Sequence, residues 1–131
     1  MLWQDAHCRV IRATGDEVAA FPAFYRVVWQ THVAEWSDLP EADQAHCMRV
    51  LTAVERSLRR HLAPTKVNLA ALGNVVPHLH WHVVARYDWD SHFPAPLWAA
   101  PQRANAPARW QALVPALQAC DADIASGVFL A

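Results

Sequence analysis

The chain has 131 residues, of which 54% are apolar, and a formal net charge of −1. This length suits one domain with a buried core, predicted here to span residues 1–131, and the balanced charge argues against nucleic acid as a partner, because a strongly basic face normally binds it. The three cysteines lie far apart and form no Cys-X-X-Cys pair, so neither a disulfide framework nor a thiolate zinc site is expected.

The N-terminus and the hydropathy of the chain predict a cytoplasmic protein without a membrane partner. Asp5, Arg9 and Arg12 lie where a signal peptide would need an unbroken apolar stretch, and no window approaches the length of a membrane span. Glycine is too rare, with three copies, to build a glycine-rich phosphate loop.

The first half of the chain predicts two strands and a long helix. Residues 8–13 and 24–29 are rich in β-branched and aromatic side chains, and a polar turn lies between them. Apolar residues then recur at helical spacing over residues 40–62, with Pro40 at the start and Pro64 just past the end. We therefore expect a strand pair followed by one long helix.

The second half predicts two more strands, at residues 66–72 and 78–87. Beyond about residue 88 the chain is proline-rich and is expected to be irregular, with Asp88 and Asp90 as solvated turn residues. A C-terminal helix is predicted from about Pro107, with a kink or break at Pro115. This order lacks the regular alternation of a parallel sheet, so it favours the α+β class: an antiparallel sheet of about five strands with helices on one face.

The strand at residues 78–87 carries three histidines at alternate positions, His78, His80 and His82. Residues two apart in a strand project from the same face, which places neighbouring imidazoles roughly 7 Å apart along it. Leu79 and Trp81 would lie on the opposite face, where they can pack in the core. The pattern predicts one buried face and one face that carries imidazoles.

Three interpretations of that face compete. The histidines are half-buried surface residues, or they ligate zinc, or they perform nucleophilic catalysis at phosphorus. Alternating positions on a straight strand do not easily converge on one tetrahedral ion, which argues against zinc. A middle imidazole that attacks phosphorus, with neighbours that orient it and bind oxygens, needs this arrangement. We favour the third interpretation and expect no metal and no cofactor.

The segment HLHWHVV, residues 78–84, resembles the signature of the histidine triad (HIT) family, His-X-His-X-His-X-X with apolar X. Three further features agree with the resemblance, which covers about residues 8–87. Asn68 lies on the preceding predicted strand, Gly73-Asn74 lies in the loop before the triad, and His32 follows an early strand. The sequence is similar to the HIT family on both the motif and its context.

The resemblance implies a HIT-like fold, a homodimer and a small-molecule nucleotide conjugate as partner. The implied activity is that of a nucleotide-conjugate hydrolase or nucleotidyl transferase acting at the α-phosphate of a dinucleoside polyphosphate or a nucleoside phosphoramidate. By the same resemblance, His80 is the nucleophile that forms a nucleotidyl-histidine intermediate, His82 contacts the α-phosphate and His78 supports them. The residues expected to bind nucleotide or phosphate are Asn68, Gly73, Asn74, Val75, His82 and His32.

One departure from the family pattern keeps other functions open. Family members commonly have serine or threonine in the loop before the triad, and here that loop reads Gly73-Asn74-Val75, without a hydroxyl. A nucleotide-binding regulatory module with little turnover is therefore an alternative. A zinc-dependent hydrolase that uses the three histidines as ligands is another.

Aromatic residues lead to two further expectations. Seven tryptophans are more than a small core readily covers, which favours a homodimer that buries the side of the long helix carrying Ala42, Ala45 and His46. The proline-rich segment after the triad is expected to fold back as a rim over the site. Its aromatic side chains, candidates either for stacking on a base or for packing, are Trp89, Phe93 and Trp98.

Overall fold

The fold is a five-stranded antiparallel sheet with helices, as the sequence predicted; the computed structural model describes residues 1–127. The strands are β1 (Trp3–Gln4), β2 (Cys8–Arg12), β3 (Phe24–Trp29), β4 (Lys66–Ala70) and β5 (His80–Arg86). The helices are α1 (Glu41–Leu62), α2 (Pro107–Ala112) and α3 (Val114–Ser126). The strand order is β1-β2-β3-β5-β4, and every neighbouring pair is antiparallel.

The predicted elements differ from the observed ones mainly at their ends. β1 was not predicted, because its two residues are too few to show a pattern. β5 begins at His80, so His78 lies at a bend before the strand. The break predicted at Pro115 comes two residues earlier, at Leu113 between α2 and α3, and Pro115 itself occupies the first turn of α3, where a missing N–H costs nothing.

The two faces of the sheet have different environments because side chains alternate along each strand. One face is covered by α1, and its central residues Val10, Val27 and Val83 are at most 1% exposed. The opposite face of β2, β3 and β5 lies open and carries polar side chains among apolar ones. The core therefore packs one face of the sheet against α1 and leaves the other face accessible.

Helix α3 packs against α1 and is fixed to the sheet by polar contacts. The carboxylate of Asp121 accepts hydrogen bonds from the Tyr25 hydroxyl at 2.6 Å and from Arg12 Nε at 2.9 Å. Asp123 accepts a hydrogen bond from the Ser57 hydroxyl on α1 at 2.7 Å. Among residues 1–127, no helix combines the length and the apolar character needed to cross a membrane.

Candidate active site

The open face of the sheet forms the floor of a cleft of about 900 Å³. Pairing between strands builds this floor in rows. Arg26 of β3 lies opposite Ile11 of β2 on one side and His82 of β5 on the other, and Val28 lies in the same way between Arg9 and His80. The walls are contributed by Glu17, by the loop at residues 72–76, by His78 and by Trp98.

His80 is held in one tautomer by the backbone. Its Nδ1 lies 2.6 Å from the carbonyl oxygen of His78, and because a carbonyl oxygen can only accept, Nδ1 carries the proton and donates it. In the neutral ring, Nε2 therefore keeps its lone pair. The geometry prepares Nε2 of His80 as a nucleophile.

His78 links the site to the end of β3 and to His32. Its Nε2 donates to the carbonyl oxygen of Trp29 at 2.5 Å, so in the neutral ring its Nδ1 is the acceptor. The Nδ1 of His32 lies 2.9 Å from this atom, and the two rings stack with centroids 5.2 Å apart. His32 thus contacts His78 but does not line the cleft.

His82 completes the triad as a neutral imidazole. Burial, followed by the proximity of His80 and Arg26, lowers the pKa of His82 from 6.5 to about 4. Its ring meets that of His80 edge to face, with centroids 5.0 Å apart, and its buried Nδ1 has no hydrogen-bond partner among the described residues. Such an unpaired buried nitrogen is costly for stability.

The lowered pKa of His82 predicts a pH-dependent loss of stability. The unfolded chain binds a proton at His82 near pH 6.5 and the folded chain only near pH 4, so the free energy of unfolding should fall as the pH decreases through this window. Urea unfolding at about pH 7.5 and pH 5 measures the effect. His82→Gln should show a smaller decrease than the unmodified protein, and equal decreases in both would contradict the assignment.

The loop before the triad lies against the cleft as predicted. Gly73, Asn74 and Val75 all line it, and Gly73 has a φ of 67°, a left-handed conformation that favours glycine. Val75 is 93% exposed. The loop therefore offers backbone N–H groups and apolar surface to a ligand but, as the sequence indicated, no hydroxyl.

The structure does not bring Asn68 into the cleft. Asn68 pairs with Val84 on β5, beyond the row of His82, and its Oδ1 accepts a hydrogen bond at 2.9 Å from Nη1 of Arg86. Its amide is thus engaged in fixing the buried Arg86. Asn68 is not among the residues that line the cleft, where a phosphate would bind.

Asp90 is not the solvated turn residue that the sequence indicated. It is 0% exposed and receives hydrogen bonds from Nε and Nη2 of Arg86 at 2.8 and 3.1 Å. The backbone N–H groups that also donate to its carboxylate are those of Tyr87, His92 and Phe93. Burial acts to raise the pKa of Asp90, but the bonds from Arg86 and the backbone outweigh it, and the pKa lies below 3.8.

This ion pair anchors the segment that follows the triad. Nη2 of Arg86 also donates to the carbonyl oxygen of Ala95 at 2.8 Å, which folds residues 88–98 back toward the sheet. Trp98 lies at the end of this turn, lines the cleft and is 57% exposed. Trp89 packs instead against Tyr87 and Trp110, so Trp98 is the aromatic of this segment that faces the ligand space.

The triad does not form a metal-binding cluster. A metal site needs at least three histidine, cysteine, aspartate or glutamate ligand atoms close together. Within residues 1–127, such atoms lie within 4.8 Å of one another in the group Asp5, Cys8 and His46. In that group, Nε2 of His46 is already bonded to Asp5 at 2.6 Å, and burial raises the pKa of the Cys8 thiol to about 12.

Sequence reasoning missed seven residues that line the cleft: Arg9, Ile11, Glu17, Arg26, Val28, Leu72 and Val76. A signal was available for Arg26, which is a lone cation inside the apolar strand FYRVVW. Its assignment to the triad face nevertheless required the pairing of Arg26 with His82, which the sequence does not encode.

Comparison with known proteins places the chain among histidine triad proteins. The family model of the HIT domain matches residues 2–89. A histidine triad protein from Bradyrhizobium japonicum is 30% identical, with 90% of this chain and 87% of that one covered and a TM-score of 0.67. No protein of curated function matches the sequence.

Two further solved structures share the fold at lower identity. A histidine triad protein from Marinobacter aquaeolei is 24% identical with a TM-score of 0.71, covering 94% of this chain and 88% of that one. A histidine triad (HIT) protein from Sinorhizobium meliloti is 24% identical with a TM-score of 0.68, covering 90% and 86%. With the match over residues 2–89 and the triad on one face of the cleft, the chain belongs to the HIT family.

Proposed function

We propose that this protein is a nucleotide-conjugate hydrolase or nucleotidyl transferase that acts at the α-phosphate through a nucleotidyl-His80 intermediate. The observation that carries the proposal is the 2.6 Å contact between His80 Nδ1 and the His78 carbonyl oxygen, because it leaves Nε2 free to attack. The cleft of about 900 Å³ has the volume of a small-molecule site. The substrate class is a dinucleoside polyphosphate or a nucleoside phosphoramidate.

The reaction proceeds in two displacements. The lone pair of His80 Nε2 forms a bond to the α-phosphorus, and the bond to the leaving group breaks with its electron pair on that group. The imidazole then carries positive charge, which the His78 carbonyl oxygen stabilises through Nδ1–H. Water attacks the same phosphorus, the N–P bond breaks with its electron pair returning to Nε2, the proton that the water loses passes to the departed leaving group or to solvent, and the nucleoside monophosphate leaves; in a transferase another acceptor takes the place of water.

The other members of the site have supporting roles in this scheme. His82 donates a hydrogen bond to an oxygen of the α-phosphate without adding charge, since its pKa near 4 keeps it neutral. Backbone N–H groups of Gly73, Asn74 and Val75 approach the same phosphate from the loop. His32 supports His78 by donating from its Nδ1 to Nδ1 of His78 at 2.9 Å.

A panel of nucleotide conjugates tests the proposal. The purified protein is incubated with dinucleoside polyphosphates and nucleoside phosphoramidates of each base, and release of nucleoside monophosphate is followed by chromatography. Turnover of at least one class supports the enzyme. Tight binding without release would favour the regulatory module instead, the alternative that the missing hydroxyl at Val75 keeps open.

We also propose a symmetric homodimer. β4 is an edge strand of the sheet, and Leu69 on it is 45% exposed, a surface that pairing with a second copy would cover. Ala42 and Ala45 on α1 are exposed as well, whereas His46 is bonded within the chain to Asp5. Sedimentation equilibrium at micromolar concentration should give about twice the chain mass of 14.7 kDa; an active monomer would contradict this proposal.

A further inference from the structure

Arg26 lies at the centre of the cleft floor, in the row that contains His82. Strand pairing puts it directly opposite His82 on β5, with Ile11 on its other side. Its side chain is 27% exposed and lines the same cleft as His80 and the loop at residues 72–76. A guanidinium therefore stands beside the triad on a rigid strand.

The guanidinium of Arg26 is poorly satisfied by the described part of the protein. Its closest carboxylate contact is Nη2 to Oε1 of Glu17 at 3.8 Å, beyond hydrogen-bond distance, and Glu17 is 74% exposed. Its buried Nε has no hydrogen-bond partner among residues 1–127, and the group stacks over the ring of Phe24 at 5.2 Å. N–H donors of Arg26 therefore remain available to bind a ligand.

Arg86 provides a comparison within the same chain. Arg86 is 2% exposed, and its nitrogens donate to Asp90, Asn68 and the Ala95 carbonyl oxygen. Four of the five N–H donors of Arg86 are thus bonded within the protein, whereas the buried Nε of Arg26, the arginine beside the triad, has no partner among residues 1–127. Unpaired buried donors are rare in folded proteins, and at a cleft they indicate a ligand with acceptor oxygens.

The charges that line the cleft also favour an anionic ligand at Arg26. An α-phosphate in a nucleotide conjugate is an anion, and the neutral His82 offers it no positive charge. The cations that line the cleft are Arg9 and Arg26. Arg9 lies on β2, separated from the triad strand by Val28 of β3, and donates to Oε1 of Gln30 at 3.0 Å, whereas Arg26 pairs directly with His82, so Arg26 is the cation on the strand next to the triad.

We propose that Arg26 is a further catalytic residue that binds a non-bridging oxygen of the α-phosphate next to His82. This inference rests on the proposed function, because it assumes that the α-phosphate lies at His80. The two-donor edge of the guanidinium supplies positive charge where the attack at phosphorus concentrates negative charge on the oxygens. Glu17 restrains the guanidinium in the free protein and competes weakly with the phosphate.

The test compares the affinity of a nucleoside 5′-monophosphate with that of its parent nucleoside. Calorimetry with AMP, GMP, CMP and UMP and the matching nucleosides is performed on the unmodified protein, Arg26→Gln and Arg26→Lys. Arg56→Gln, on the exposed side of α1, is the control for net charge. Arg26→Gln should lower the preference for the monophosphate about 10- to 100-fold while the nucleoside affinity stays unchanged.

Three further results separate the explanations. Arg26→Lys should recover part of the preference, since it restores charge but not the two-donor edge. The thermal stability of Arg26→Gln should not decrease, because the arginine has few satisfied bonds to lose; a clear decrease with unchanged preference would mean a structural role and overturn the inference. The control Arg56→Gln should keep the full preference.

The outcome also distinguishes this inference from the proposed function. Turnover and a trapped nucleotidyl-His80 together with an unchanged preference in Arg26→Gln would overturn the role of Arg26 alone. An Arg26-dependent preference without turnover on any conjugate would support the phosphate contact and contradict the hydrolase. Failure of the unmodified protein to bind any of the monophosphates would overturn both.

Discussion

Replacing His80 with alanine should abolish turnover of nucleotide conjugates, with a decrease in kcat of about 10⁴-fold or more, as expected when a nucleophile is removed. The Nδ1 of His80 is fixed by a carbonyl oxygen at 2.6 Å, which leaves the lone pair on Nε2, and the residue lines the cleft. His82 cannot replace it, because its Nδ1 is buried and its row lies one step further along the strand. Steady-state release of nucleoside monophosphate measures the effect.

The fold of this variant should be unaffected. His80 is half-buried and its Nδ1 contact lies within its own chain segment, so alanine removes little packing. Circular dichroism and thermal unfolding check this point. His61→Asn, at the end of α1 and outside the cleft, is the matched control and should turn over at the unmodified rate. An alanine variant at His80 that kept most of its rate would contradict the covalent mechanism.

Replacing Asp90 with alanine should lower the free energy of unfolding by about 3–5 kcal/mol, the cost of leaving one partner of a buried ion pair uncompensated. Asp90 is 0% exposed and Arg86 2% exposed, so neither charge is screened by solvent. Without the carboxylate, Nε of Arg86 and the N–H groups of Tyr87 and Phe93 lose their acceptor. Urea unfolding at neutral pH measures the loss.

The exposed neighbour Asp88 provides the control for this experiment. Asp88→Ala removes the same charge two residues away and should change stability by about 0.5 kcal/mol or less. The pKa of Asp90 is lowered in the folded state, so its contribution is present above pH 4 and is lost as the pH falls through the folded pKa. Equal stabilities of the two variants at neutral pH would show that the Arg86–Asp90 pair is not a stabilising contact.

The sequence predicted the parts of this protein that have a strict period or a clear boundary. The alternation of His78, His80 and His82 predicted a shared face, and the cleft is lined by all three. Pro40 and Pro64 predicted the two ends of the long helix. The predicted range, residues 40–62, differs from the observed Glu41–Leu62 by one residue at the start. These features are local, so residues close in sequence are sufficient to show them.

The remaining features depend on contacts between residues distant in sequence. The position of Arg26 beside His82 depends on how β3 and β5 pair, and pairing across 56 residues leaves no local signal. Asp90 was predicted to be a solvated turn residue because aspartate is common in turns. Its burial depends on the bond to Arg86, and the sequence does not show that Arg86 is buried. Asn68 is separated from the cleft for the same reason, since Arg86 binds its amide.

Trapping of the covalent intermediate tests the central claim most directly. The protein is mixed with a nucleotide conjugate for less than one turnover and quenched without acid, because a phosphorus–nitrogen bond to histidine is labile in acid, and the products are analysed by mass spectrometry. The proposed mechanism predicts one nucleotidyl group per active site, located on His80 within residues 77–87 and absent in His80→Ala. Turnover with no adduct on any histidine, or an adduct on His82 or His78, would contradict it.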